Sequence, residues 1–293
     1  MSTALQVSQT WPDNGFAGID NLVIFGDSYS SVGYSSGEPH PTAANPLGVP
    51  YPGQDLWTDV TGSDKYPQLQ PNWVGALISK YVPGQKYVEY HQRSSILVYD
   101  YAVGGDSVAG VGHQINRQFI PHAGQRPDWA PWASEDTLFV TWVGINDLAF
   151  SSDSSSLLKI LFSHQKQLYE VGARNFLLID CPPIDRSPAF AAAVKNRLKS
   201  RYTDWNVALR SSIASFASEC SDATILVYSS HETFSRVLDD PVGHDFHEAD
   251  AGSKAGKGIW MDHLHPTSKM HDFVARDLAA FLGTVVKADD VTA

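Results

Sequence analysis

The apolar positions of this chain gather into short unbroken runs that end at glycine or proline, with longer stretches of helical apolar spacing between them. Leu22-Val23-Ile24-Phe25 stops at Gly26-Asp27-Ser28. Ile96-Leu97-Val98-Tyr99-Asp100-Tyr101-Ala102-Val103 stops at Gly104-Gly105-Asp106-Ser107, and Leu138-Phe139-Val140-Thr141-Trp142-Val143 stops at Gly144-Ile145-Asn146-Asp147. Asn175 to Ile179, halted by Pro182-Pro183, and Thr224 to Tyr228 read as two more strands. Short runs without polar alternation are the pattern of strands covered on both faces. Helical spacing covers Asn72 to Tyr81, Gly112 to Phe119, Leu157 to Val171 with Gly172 as the stop, and Ala189 to Phe216. A last helix, capped by Thr267 or Ser268, runs to about Val286.

Strand and helix alternate, which predicts an α/β fold: one domain over residues 1–293, built as a three-layer α/β/α sandwich around a mainly parallel sheet. Residues 1–20 are expected to be an N-terminal extension. Residues 30–71, rich in Gly, Pro and Ser, are too long for a plain connection and are expected to shape the pocket. No internal repeat or interdomain linker interrupts the pattern.

In open α/β sheets ligands bind at the carboxyl ends of the strands, so the three glycine-terminated runs are expected to converge on one site. The first can lift the hydroxyl of Ser28 above the sheet. Near the other end stands Asp262-His263-Leu264-His265-Pro266. Residues three apart share a face of a helical turn, so Asp262 can fix the tautomer and aim of His265. Nucleophile, base and orienting acid are the parts of serine acyl transfer. Spacing alone does not choose between Ser28 and Ser107, since both follow a strand, glycine and aspartate. His263 is expected to point away from the site. A competing set is His244, Asp245, His247, Glu248 and Asp250, which a divalent metal can use for hydrolysis. It lacks an i,i+4 histidine pair and glycines surround it, so it is read as a solvated loop, with no metal and no cofactor expected.

Four blocks in order, Gly26-Asp27-Ser28-Tyr29, Gly105, Gly144-Ile145-Asn146-Asp147 and Asp262-His263-Leu264-His265, resemble those of the SGNH hydrolases, the GDSL esterase/lipase family. They span almost the whole chain. Tyr29 stands where leucine is common, and Asp100 where many relatives have asparagine. Asn45-Pro46-Leu47-Gly48-Val49-Pro50-Tyr51-Pro52-Gly53, Pro71-Asn72-Trp73 and Ile259-Trp260-Met261 are similar to fungal acetylesterases of carbohydrate esterase family 16. The resemblance implies that Ser28 is the nucleophile, with His265 and Asp262 completing a triad. It also implies that the N–H of Ser28, the N–H of Gly105 and the Asn146 side-chain amide form an oxyanion hole. The expected activity is removal of acetyl groups from carbohydrate esters. A broader short-chain acyl esterase, lysophospholipase or thioesterase on the same triad is the alternative, and a non-catalytic binder on the same fold is the second.

Composition narrows the partners. Of the 293 residues 43% are hydrophobic and 18% charged, which suits one soluble domain with a large core. A net charge of −11 argues against nucleic acid and anionic membrane as partners. No apolar stretch reaches the ~20 residues a membrane span needs. The expected partner is a small ester, an acetylated sugar or oligosaccharide; oligomeric state is not legible. The start, MSTALQVSQ, is not a secretory signal, and there is no Asn-x-Ser/Thr sequon. The expected compartment is therefore cytoplasmic, or secreted if a leader has been trimmed. Cys181 and Cys220 are expected to be free thiols. Among the eight tryptophans, Trp142 and Trp260 flank two of the blocks, and with Tyr29 they are candidates to line the substrate pocket.

Overall fold

The computed structural model describes the chain apart from residues 38, 54–69, 84–95, 191, 254–257 and 288–293. Six strands, β1 (Thr3–Gln6), β2 (Asn21–Gly26), β3 (Leu97–Asp100), β4 (Thr137–Trp142), β5 (Asn175–Ile179) and β6 (Thr224–Tyr228), form one sheet in the order β1-β6-β5-β4-β2-β3. From β6 to β3 all pairings are parallel; only β1 runs antiparallel, on the β6 edge. Every residue of β2, β4, β5 and β6 is buried, as strands between two helical layers require.

Seven α-helices accompany the sheet among the described residues: α1 (Trp73–Ala76), α2 (Val108–His113), α3 (Ile145–Phe150), α4 (Ser154–Glu170), α5 (Ala192–Glu219), α6 (Ser230–Asp239) and α7 (Ser268–Leu282). They pack in two groups, α1 with α6 and α7, and α2 with α3, α4 and α5. Thr267 caps α7, its hydroxyl accepting from the Met270 N–H, and Asp153 caps α4 by accepting from the Ser156 N–H. Such caps are worth about 1 kcal/mol each.

The architecture is the α/β sandwich that the alternation of elements predicts. Four elements differ. β1 lies inside the stretch expected to be a plain extension, where its backbone pairs with β6. Helix α3 starts directly after Gly144, and α6 fills the stretch after β6. Helix α2 begins at Val108, earlier than apolar spacing suggests, and continues through Gln114–Phe119 with π-helical bonding. Of the expected 30–71 insertion, residues 38 and 54–69 lie outside the described residues.

Strand order decides where a site can form. The chain goes from β2 to β3 on one side of β2, then crosses to β4 on its other side. β2 is therefore the switch point of the sheet, and a crevice opens at its carboxyl end.

Candidate active site

Ser28 stands at that carboxyl end. A Cβ on Gly26 would lie 2.3 Å from the Trp142 carbonyl oxygen, so only glycine lets the ends of β2 and β4 approach this closely. The chain then turns: the Asp27 carbonyl accepts from the N–H of Ser30 and of Ser31, both at 3.0 Å, and Asp27 Oδ1 accepts from the Tyr29 N–H at 3.0 Å. Burial pushes the Asp27 carboxyl up to about 7 against the opposing Tyr29 N–H, with the Asp147 and Asp106 carboxylates adding to the rise.

His265 comes from the turn before α7. Asp262 Oδ1 accepts from the backbone N–H of Leu264 and of His265, each at 2.7 Å, and Oδ2 faces His265 Nδ1 at 2.8 Å. The spacing of three works here through a side-chain-bonded turn, not a helix. Burial raises the Asp262 carboxyl, but these donors outweigh it and hold the group below its usual range. With Nδ1–H given to Asp262, Nε2 is the acceptor, and it lies 2.9 Å from Ser28 Oγ. The Tyr29 hydroxyl donates to the Leu264 carbonyl at 2.7 Å, and the Met261 N–H to the His265 carbonyl at 2.9 Å, so the turn is held on both sides of the histidine.

The glycine turn after β3 lies alongside. A Cβ on Gly104 would fall 3.9 Å from Ser28 Cβ. Gly105 has φ of +81°, a conformation that costs side-chain-bearing residues energy, and the space over its α-carbon is open. Asn146, in the first turn of α3, donates an amide hydrogen to the Asp106 carbonyl at 2.8 Å. The Asp147 carboxylate accepts from the Val108 N–H at 3.1 Å, and Asp100 Oδ1 from the Ala102 N–H at 2.9 Å. Both fix loops.

Three expected pocket residues are elsewhere. Trp142 and Trp260 have no exposed surface and Tyr29 is 1% exposed, so none of them presents a face to a substrate. Trp142 packs edge-on to Tyr29, and Trp260 donates its indole N–H to the Ala251 carbonyl at 3.1 Å. A strand buried on both faces, and an aromatic tucked behind a turn, have no outward side. Val103, Gly104 and Gly105, in the turn that brings Gly104 beside Ser28, are exposed. Ser107 sits at the head of α2 and, among the described residues, no histidine bonds its hydroxyl. His263 is exposed. The His244–Asp250 loop uses its polar groups locally: His244 Nδ1 bonds the Asp240 carbonyl at 2.7 Å and the His247 N–H bonds Asp250 Oδ2 at 2.8 Å. Cys181 and Cys220 are buried and unpaired. Among the described residues no helix is long and apolar enough to cross a membrane.

A parallel sheet whose switch point carries serine, histidine and aspartate in a hydrogen-bonded row is the arrangement of a serine esterase. The chain belongs to the GDSL-like lipase/acylhydrolase family, which it matches over residues 22–278, and is a carboxylic ester hydrolase. It is 29% identical over 283 residues to an acetylesterase from Thermothelomyces thermophilus, covering 88% of this chain and 86% of that protein. The fold is shared with an acetylxylan esterase from Geobacillus stearothermophilus, at TM-score 0.53 and 15% identity over 92% of this chain and 97% of that one. A lipolytic G-D-S-L family member from Veillonella parvula shares it too, at TM-score 0.50 and 16% identity over 90% and 99%.

Proposed function

We propose that the protein removes acetyl groups from carbohydrate esters through an acyl-enzyme on Ser28. The observation that carries the reading is the 2.9 Å contact between Ser28 Oγ and His265 Nε2, with Asp262 on the far nitrogen. His265 takes the hydroxyl proton as Ser28 attacks the ester carbonyl, and Asp262 stabilises the imidazolium that forms. Negative charge then grows on the carbonyl oxygen. The backbone N–H of Ser28 and of Gly105 and the second amide hydrogen of Asn146 receive it. His265 returns the proton to the departing sugar hydroxyl, then activates water to release acetate.

The acetyl preference is supported by the kinship with an acetylesterase, 29% identical over 283 residues. Initial rates on acetylated xylo-oligosaccharide and on p-nitrophenyl esters of rising chain length test it. The account expects the sugar ester and the acetyl p-nitrophenyl ester to be fastest in their series. Rates that climb with acyl length would point to a general acyl esterase.

A further inference from the structure

We propose that Gln114, together with Asp106, is a positioning device that holds the oxyanion donors in register; the proposal rests on the functional reading above. β3 pairs with β2 only as far as Asp100 opposite Ile24. Past that point the strand leaves a gap beside Gly26, two residues before Ser28: the Gly26 carbonyl keeps one bond, from the Val103 N–H at 3.2 Å, and its N–H is left to a side chain. The Gln114 carboxamide fills the gap. Its Oε1 accepts from the Gly26 N–H at 2.9 Å, where the next carbonyl of a parallel partner strand would stand, and its Nε2 donates to the Gly26 carbonyl at 2.8 Å beside the Val103 N–H. The remaining amide hydrogen goes to Asp106 Oδ2 at 2.6 Å. Every donor and acceptor of the amide is thus used, in a side chain that is 1% exposed.

Asp106 extends the brace. It follows Gly105 directly, and its backbone carbonyl accepts from Asn146 Nδ2 at 2.8 Å. One buried amide and one aspartate therefore connect the chain leading to Ser28, the residue after Gly105, and the amide of Asn146. The surroundings are shaped for this. A Cβ on Gly110 would lie 2.3 Å from the Asp106 carboxylate, so α2 leaves a notch for that group. Gln114 is also where α2 changes to π-helical bonding, a change often found at functional sites. Neither side chain touches reacting atoms; both act through the donors they hold.

The test uses Gln114→Met, Asp106→Ala and the double variant, with Ser28→Ala alongside. Read out are kcat and KM on an acetyl ester, the rate of labelling by a fluorophosphonate probe, and thermal melting. Displaced donors weaken transition-state binding and not ground-state binding, so each single variant should lose about 10- to 100-fold in kcat with KM within about twofold. Labelling should slow in step, because the phosphonylated serine points its oxygen at the same donors. The double variant should be no worse than the weaker single, since one brace is broken once. A folded variant with parental kcat, a loss confined to KM, or multiplicative losses in the double would overturn the brace. If Gln114→Met does not fold, Asp106→Ala decides alone, because it leaves Gln114 paired to Gly26. An active Ser28→Ala protein would instead overturn the functional reading beneath.

Discussion

The Tyr29 hydroxyl bonds the Leu264 carbonyl at 2.7 Å, joining the residue after the serine to the residue before the histidine across 235 positions of sequence. Ser28 and His265 are thereby held together through their neighbours as well as by their own contact. Tyr29→Phe keeps the packed ring and removes this bond. It should cost about 1 kcal/mol in a denaturant titration and lower kcat roughly tenfold, through misplacement of the base, with KM little changed. A kcat equal to the parent's would show that the base turn holds its place without the tyrosine.

Asp262 receives three hydrogens, two on Oδ1 from the backbone and one on Oδ2 from His265. Asp262→Asn can keep the backbone pair, but its amide then offers a hydrogen to Nδ1 and forces the proton onto Nε2, where it faces Ser28. The base is left in the wrong tautomer, and kcat should fall about 10⁴-fold with the fold intact. Circular dichroism and steady-state rates check this together; retention of more than about a tenth of the activity contradicts the assigned role.

Asn146 holds the Asp106 carbonyl with one amide hydrogen. In Asn146→Asp both hydrogens are lost, and a carboxylate stands where charge develops on the substrate oxygen. A loss of about 10²–10³-fold in kcat is expected. An unchanged kcat would remove Asn146 from the site.

Asp27 predicts a pH signature of stability. Its carboxyl ionises at 3.8 in the open chain but keeps its proton to about 7 in the fold, chiefly through burial. Between these values the unfolded chain has lost a proton that the native state retains, so stability falls as pH rises through the window, by on the order of 4 kcal/mol in all. Asp27→Asn removes the titration. Relative to the parent its melting temperature should therefore shift upward between pH 4 and pH 8, and a gap independent of pH contradicts the buried, protonated state.

How much of this was legible in the sequence depends on how each residue earns its place. β5 and β6 match the runs Asn175–Ile179 and Thr224–Tyr228 because strands buried on both faces are filled mainly by apolar side chains, the polar Asn175 and Thr224 at their starts being hydrogen-bonded. β1 was hidden, since its side chains are mostly exposed and its place in the sheet comes from backbone pairing. Helix α6 carried a readable signal: Ser229 caps it by accepting from the Glu232 N–H, and the serine–glutamate spacing of three marks a helix start. The hydrogen-bonded row of Ser28, His265 and Asp262 was legible because the proposed acyl transfer tolerates few residue types. Trp142 and Trp260 misled because adjacency in sequence to a catalytic block does not say which way a side chain faces. Gln114 was overlooked inside a stretch of helical spacing, although a polar residue three positions after Val111 and just before Ile115 lies towards the apolar side of that helix.

Mass spectrometry of the protein after treatment with a fluorophosphonate probe tests the central claim most directly, run on the parent, Ser28→Ala and Ser107→Ala. The account predicts a single adduct on the peptide holding Ser28 in the parent and in Ser107→Ala, with esterase activity lost in parallel. It predicts neither adduct nor activity in Ser28→Ala. An adduct on Ser107, or full activity without the Ser28 hydroxyl, would contradict it.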